Sequence, residues 1–215
     1  NGKTALVTGG ATGIGRMITE TMVNAGANVI IASRKEDVIQ KAVEEISGLN
    51  CDGSVTGISV DLSNESEICD FCKELERRTS KLDILVNNAG VSWGAELGDF
   101  PYNAWNKVFS VNVYGLFHLT QLLLPLIKKA ASPKCHGKIL NIGSVMGVSP
   151  HGDGAYSYSA SKASVHHLTK ILAKELAQYN ISVNAFAPGP FKSKMTNFAI
   201  NTAEKMKAVS NGIPL

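Results

Sequence analysis

The sequence predicts one doubly wound α/β domain, a parallel sheet of at least six strands with helices on both faces. Three observations predict it. Short apolar runs alternate with amphipathic helical patterns along the whole chain, each run is closed by Gly, Asn, Asp, Ser or Pro, and no repeat, linker or low-complexity tract interrupts the alternation. Strands covered on both faces read as continuous apolar runs, and strands separated by helices pair in parallel through right-handed crossovers.

Residues 3–8 form the first strand, which meets a turn at Gly9-Gly10. Gly13 and Gly15 follow, with Ile14, Met17, Ile18, Met22 and Val23 at helical spacing up to Gly26. Residues 28–32 are a second strand, 36–46 an amphipathic helix stopped near Gly48, and 54–60 a third strand ending at Asp61. Ser63-Asn64-Glu65 starts a helix whose buried stripe is Ile68, Phe71, Cys72 and Leu75. Residues 82–86 are the fourth strand, followed at once by Asn87-Asn88-Ala89-Gly90.

A long helical pattern runs from Tyr102 to about Lys129 and contains Pro125. Proline in a helix interior costs about 3 kcal/mol, so a kink or a broken end is expected there. Residues 138–142 are the fifth strand, ending at Gly143-Ser144, and a loop with Pro150, Gly152 and Gly154 leads into a helix carrying Tyr158 and Lys162. That helix buries Val165, Leu168, Leu172 and Leu176. Residues 181–187 are the sixth strand, closed by Pro188-Gly189-Pro190. Residues 197–210 read as a polar helix within a lid segment of about 190–212, and no strand follows before Leu215. Either the sheet ends at six strands or a longer chain continues with another helix and strand.

Composition narrows the function classes. The 215 residues suit a single domain, and a formal net charge of +3 is too small to imply nucleic acid or an anionic membrane as partner. No apolar run reaches the ~18 residues that span a bilayer. The greasiest segment, 116–127, is interrupted by His118, Thr120, Gln121 and Pro125. No signal-peptide pattern is visible, so a cytoplasmic location is expected, and any C-terminal address would lie beyond Leu215. Cys69-Asp70-Phe71-Cys72 has the redox C-x-x-C spacing but falls inside a helical pattern with no strand before it. A zinc site would need a second ligand pair, and only Cys135-His136 approaches one. Reduced thiols and no metal are the expectation.

Ligands in such sheets bind beyond the carboxyl ends of the strands. The candidates there are Gly9 to Gly15, Ser33-Arg34, Asp61, Asn88 to Gly90, Ser144 and Pro188-Gly189. The segment Thr8-Gly9-Gly10-Ala11-Thr12-Gly13-Ile14-Gly15 opens a helix straight after the first strand, where glycines let the backbone approach a pyrophosphate. Tyr158 and Lys162 share one helix face, one turn apart. An ammonium within about 4–6 Å of a phenol pulls its pKa down from ~10, so the pair can pass a proton to or from a carbonyl oxygen. Tyr156 has no such partner, since the residue four further on is Ala160. His118, His166 and His167 lie in helical patterns, where solvent or core contacts are expected.

T-G-x-x-x-G-x-G, N-N-A-G, a serine after strand five, Y-x-x-x-K and P-G occur in the order found in the short-chain dehydrogenase/reductase family, which the chain resembles over nearly its whole length. The resemblance implies a single Rossmann domain over residues 1–215 that binds a nicotinamide dinucleotide. It implies Tyr158 as proton donor to a substrate carbonyl, with Lys162 lowering the Tyr158 pKa and bonding the nicotinamide ribose. Ser144 would orient the carbonyl, and Asn112 would hold a water in the proton relay. Gly9, Thr12, Gly13, Ile14 and Gly15 would cradle the pyrophosphate. Asp61 and Leu62 would meet the adenine, Asn88 and Ala89 would line the adenosine ribose side, and Gly90 would belong to the same cofactor-binding loop. Pro188, Gly189, Phe191 and Ser193 would surround the carboxamide.

NAD-preferring enzymes place a carboxylate at the end of strand two, whereas here the run is Ala32-Ser33-Arg34-Lys35 with no acid before Glu36. Arg34 can clamp a 2′-phosphate and Ser33 can donate to it, so NADPH/NADP is the expected cofactor. Thr12 stands where many NADP-using members carry a second basic residue. Ser92-Trp93-Gly94 and residues 188–196 resemble the 3-oxoacyl reductase branch, particularly its rhamnolipid-biosynthesis type. Trp93 and Met146 would wall an apolar pocket. Lys192, Lys194 and Lys205 would receive an acyl carrier protein, coenzyme A being the other carrier. The family implies a homodimer or homotetramer. The alternatives are a reductase or dehydrogenase of another secondary alcohol or ketone, and a nucleotide-binding regulator without catalysis.

Overall fold

In the computed structural model, which describes residues 2–49, 51–150, 154–191, 202 and 207, six parallel strands form one sheet in the order β3-β2-β1-β4-β5-β6. The strands are β1 (Thr4–Thr8), β2 (Asn28–Ser33), β3 (Ser54–Ser59), β4 (Ile84–Asn87), β5 (Gly137–Ile142) and β6 (Ile181–Phe186). The helices are α1 (Gly13–Asn24), α2 (Glu36–Ser47), α3 (Glu65–Arg78), α4 (Asn103–Phe109), α5 (Leu116–Ala130) and α6 (Tyr156–Leu176). The expected lid, 190–212, and the expected helix, 197–210, lie almost wholly outside the described residues.

Alternation along the strands divides the core. Leu6 of β1 faces one side with Leu85, Ile139 and Val183, packed under Phe71 and Leu75 of α3, Leu119, Leu123 and Ile127 of α5, and Leu172 and Leu176 of α6. Its neighbours Ala5 and Val7 face the other side with Val29, Ile31 and Val86, under Val23 of α1 and Ile39, Ala42 and Ile46 of α2. Side chains of adjacent strand residues point to opposite faces, so a sheet covered on both sides needs apolar residues throughout. This is why the strands lack the polar alternation of half-exposed ones.

The long helix departs from expectation in one place. Its irregularity is a π-helical turn over Ser110–Gly115, between α4 and α5, whereas α5 continues through Pro125 to Ala130. Pro125 and Gln121, four residues before it, are both exposed. The residue whose carbonyl proline strips of its donor is therefore at the surface, where water can replace the lost bond. The continuous stretch Asn103–Ala130 is also long and apolar enough to cross a bilayer, contrary to the reading of the interrupted run, yet half of its most apolar window is buried inside the domain.

Capping and edge contacts fix element ends. Asn64 Oδ1 accepts from Ser66 N at 3.1 Å and Glu67 N at 3.4 Å, and Glu67 Oε2 in turn accepts from Asp61 N at 2.9 Å. At the opposite edge of the sheet the buried Asp83 carboxylate accepts from Lys3 Nζ at 2.8 Å and Thr4 N at 3.0 Å, tying β1 to the start of β4. Burial pushes the Asp83 carboxyl up, but the Lys3 and Thr4 bonds outweigh it and hold the group below the ordinary carboxylate value of 3.8. Asp83→Ala should lower unfolding stability by about 1–3 kcal/mol at neutral pH in denaturant titration. Because the folded-state value is depressed, the wild-type advantage should be complete above about pH 4 and disappear as pH falls through the Asp83 titration.

Candidate active site

The sheet order reverses direction between β1 and β4, and the residues singled out by sequence gather at the carboxyl edge there. Gly9 follows β1 with φ +64°, a conformation that L side chains rarely adopt, and a Cβ on it would sit 2.8 Å from Asn88 Nδ2. A Cβ on Gly15 would sit 2.2 Å from the Gly9 carbonyl oxygen. The loop is thus folded tightly back on itself, and only glycine leaves its backbone open to a ligand. Thr12 makes no side-chain cap at the start of α1, so the first-turn N–H groups lack that partner. They suit the charge of a pyrophosphate.

Below the loop, Thr8 Oγ1 accepts from Asn88 N at 2.9 Å and Ala89 N at 3.0 Å, while Asn88 Nδ2 donates to the Thr8 and Gly9 carbonyls at 2.9 and 3.3 Å. Asn88 therefore braces the loop from beneath with its amide. Gly9, Thr12, Ser33, Arg34, Asp61, Leu62, Ala89 and Gly90 line one groove. Ala32, Val60, Val91 and Val111 complete its walls. Sequence reasoning passed over these four because an apolar residue at a strand end carries no chemical signature. Asp61 Oδ1 accepts from Ser63 N at 2.8 Å and Ser63 Oγ at 2.7 Å. Burial pushes its carboxyl up, but the Ser63 bonds and the nearby Arg34 guanidinium bring it below the ordinary value.

Arg34 is exposed at the rim of the groove and Ser33 is half-buried beside it. The donor set along this groove, a glycine loop at one end and a guanidinium with a hydroxyl at the other, fits a dinucleotide carrying a 2′-phosphate.

The reactive cluster lies at the end of β5. Ser144 is buried, and its Oγ accepts from Met146 N at 3.2 Å to cap a short 3-10 turn over Val145–Gly147. Tyr158 on α6 shares a side-chain hydrogen bond with Ser144. Lys162, one turn further on, is 5% exposed, lies with Nζ 5.6 Å from the Tyr158 ring centroid, and donates to the Ile142 carbonyl at 2.6 Å. Burial pushes the Tyr158 phenol above its ordinary value, partly offset by the Ser144 bond. Burial likewise pushes the Lys162 ammonium down to about 8. The expected lowering of Tyr158 by Lys162 is not what this packing produces. Desolvation of the phenol dominates, and the lysine's hydrogen bond goes to a backbone carbonyl.

Asn112 sits in the π-helical turn and is 1% exposed. Its Oδ1 accepts from Val91 N at 2.9 Å, and its Nδ2 donates to the Val91 carbonyl at 3.0 Å and Ser161 Oγ at 2.9 Å. Each end of the amide has a protein partner, so the side chain ties the loop after β4 to α6. Trp93 is half-buried under Lys107, whose Nζ lies 4.7 Å from the ring centroid, and Met146 is half-buried beside Ser144. Tyr156 stacks edge-on against Phe100 at 5.3 Å. Ile14 and Gly13 open α1 just outside the groove walls, Pro188 accepts from Val145 N at 3.1 Å, and Gly189 and Phe191 are exposed beyond it. Ser193 and the three candidate carrier lysines, 192, 194 and 205, lie outside the described residues. Of the C-x-x-C pair, Cys72 is buried against the sheet and burial pushes its thiol up to about 12. That makes it a core residue with little thiolate character.

Residues 3–204 match the short chain dehydrogenase family. The chain is 42% identical to the rhamnolipids biosynthesis 3-oxoacyl-[acyl-carrier-protein] reductase of Pseudomonas aeruginosa, over all of this chain and 82% of that protein. It is 36% identical to the D-beta-hydroxybutyrate dehydrogenase of Rhizobium meliloti, over 87% of this chain and 70% of that one. Among solved structures, the Pseudomonas aeruginosa RhlG/NADP active-site complex superposes with a TM-score of 0.94 at 42% identity, covering 99% of this chain and 82% of that one.

The buried ammonium yields a test independent of turnover. A lysine whose folded-state pKa is depressed to about 8 lowers stability fully below that pH, and the penalty is relieved as pH rises toward its ordinary 10.5. Lys162→Met should therefore raise the unfolding stability at pH 7 by on the order of 1–3 kcal/mol. In paired thermal melts the gap between variant and wild type should close between pH 8 and 10.5.

Proposed function

The chain belongs to the short-chain dehydrogenase/reductase family, and on that footing we propose that it is an NADPH-dependent reductase of 3-oxoacyl thioesters. The observation that carries this reading is the convergence of Ser144, Tyr158 and Lys162 at the end of β5, beside a groove whose rim offers Arg34. NADPH, when bound, supplies the hydride that the ketone carbon receives.

The protein's own residues supply the rest. Ser144 donates its hydroxyl hydrogen to the carbonyl oxygen and so sets the plane of the substrate. Tyr158 transfers its phenolic proton to that oxygen as negative charge develops there. A phenol raised by burial stays protonated through neutral pH, which suits a donor. The adjacent Lys162, with Nζ 5.6 Å from the Tyr158 ring centroid, would bond the nicotinamide ribose. Asn112 holds the Val91 loop against α6 so that these groups keep their spacing. Arg34 and Ser33 would hold the 2′-phosphate, Asp61 and Leu62 the adenine, Ala89 and Gly90 the ribose side, and Pro188, Gly189 and Phe191 the carboxamide end.

The substrate class is supported by the identity to the rhamnolipid-pathway reductase across the whole chain. A free 3-oxo acid is the second reading, favoured by the likeness to the hydroxybutyrate enzyme. Both place the ketone at the third carbon, two along from the carboxyl carbon, and they differ in whether a carrier docks at the mouth of the site. Trp93 and Met146 form the apolar wall for the acyl chain. A homodimer or homotetramer fits the aromatic residues exposed along the α4–α5 helix, Tyr102, Tyr114 and Phe117 being 85%, 61% and 42% accessible. Four cysteines with no disulfide among them fit a reducing compartment such as the cytoplasm.

Steady-state assays of 3-oxoacyl thioesters, free 3-oxo acids and simple ketones with NADPH and NADH test the substrate assignment, and preference for a free acid or an unrelated ketone would overturn it. Tyr158→Phe should abolish turnover while NADPH binding, followed by fluorescence, stays intact; wild-type rates in that variant would refute the proton-donor role. Arg34→Ala should weaken NADPH by roughly 10–100-fold, from loss of a charge-assisted contact of about 1.5–3 kcal/mol, and leave NADH unchanged. Equal losses for both cofactors would remove the 2′-phosphate from the reading.

A further inference from the structure

We infer that His166 is a positioning residue for Ser144, holding the serine's own peptide unit so that its hydroxyl meets Tyr158. The inference rests on the catalytic reading of Ser144 given above. Tyr158, Lys162 and His166 follow one another at four-residue spacing on α6, and so lie along one face of the helix. The first two reach the reacting centre. The third passes beneath it and is spent on backbone. His166 Nε2 lies 3.0 Å from the Ser144 carbonyl oxygen and 3.3 Å from the Ser144 amide nitrogen. With a proton on Nε2 it donates to the carbonyl, and without one it accepts from the amide. In either tautomer the imidazole is bonded to Ser144.

The neighbouring peptides show why this contact matters. Gly143 N donates to the Phe186 carbonyl at 2.8 Å, and Val145 N donates to the Pro188 carbonyl at 3.1 Å. Those two units are held by the chain at the end of β6. Ser144 lies between them, where the strand breaks into the 3-10 turn, and its amide turns toward α6 instead. Its carbonyl also accepts from Gly147 N at 3.0 Å, so the histidine completes the bonding of a peptide that the sheet has released.

Close approach of the ring also accounts for the glycine before the serine. A Cβ on Gly143 would fall 2.3 Å from His166 Cε1 and 2.5 Å from Nε2. Gly143 and His166 therefore form one fitted pair, and the serine is the residue they position. Tyr158, Lys162 and the support of Ser144 then all come from a single rigid helix, so a displacement of α6 moves the three together.

The test uses the full-length enzyme and the ketone it reduces best. His166→Leu should lower kcat by roughly 10–100-fold, the scale of a misplaced catalytic group. The NADPH dissociation constant and substrate KM should stay within about three-fold of wild type. His166→Gln, whose amide can reach the Ser144 peptide with either a donor or an acceptor, should recover most of that loss. His166→Asn keeps the polarity but is too short to reach, and should behave like the leucine variant; it takes that variant's place if leucine prevents folding. Because the histidine acts through Ser144, the double variant Ser144→Ala/His166→Leu (or its Asn counterpart) should be no slower than Ser144→Ala alone. Normal kcat in the non-reaching variant beside a slow Ser144→Ala, or losses that add in full, would overturn the inference while leaving the serine's role standing. A wild-type rate in Ser144→Ala would instead overturn the serine's role, and the inference with it.

Discussion

Parallel pairing of β1, β4 and β5 is the constraint on which everything else in this molecule depends. Parallel strands all end at the same edge, so segments widely separated in sequence are delivered to one line: Gly9 after β1, Asn88 after β4, Ser144 after β5 and Pro188 after β6. The register places Leu85 beside both Leu6 and Ile139, and the loops above inherit that alignment. The hydrogen bonds from Asn88 to Thr8, across a separation of 80 residues, exist only because the strands below are in register. A groove for a long, charged ligand follows from the geometry of the sheet before any side chain contributes.

On that frame the chemistry is set by burial. The helix α6 crosses the carboxyl edge and carries Tyr158 and Lys162 into a place where water is scarce. Desolvation raises the phenol and lowers the ammonium, so two groups whose ordinary values both lie near ten move apart, the phenol holding its proton more firmly and the lysine less so. The cost is a charged group held at 5% exposure, fastened by the Ile142 carbonyl. Active sites commonly accept such local instability, and the surrounding core compensates for it.

How much of this was legible in the sequence depends on the kind of residue. Gly9, Arg34, Asp61, Ser144, Tyr158 and Lys162 stood out because their types are unusual at strand ends or bear charge at a telling spacing. Asn112 stood out too, but its side-chain partners did not. Whether an amide holds a water or a loop depends on which backbone groups come within 3 Å, and Val91 and Ser161 lie 21 and 49 residues away in the chain. The same limit applies to His166, which looked like any helical histidine because its partner is 22 residues upstream. The helix runs unbroken through Pro125, where the sequence allowed a kink or a broken end, for a different reason. Proline's penalty depends on whether the freed carbonyl can reach water, and the exposure of Gln121 settles that only after the helix has docked.

The sequence by itself determined the architecture, since apolar strands alternating with amphipathic helices can bury their faces in few other ways. It also determined the inventory of reactive groups and the glycines a phosphate needs. The tertiary structure decided the roles within that inventory: that Lys162 is dehydrated, that Asn88 and Asn112 brace backbone, and that His166 supports Ser144. The physical reason is range. Secondary structure follows from local periodicity, whereas desolvation and hydrogen bonding at the site depend on atoms that only the packed sheet brings together.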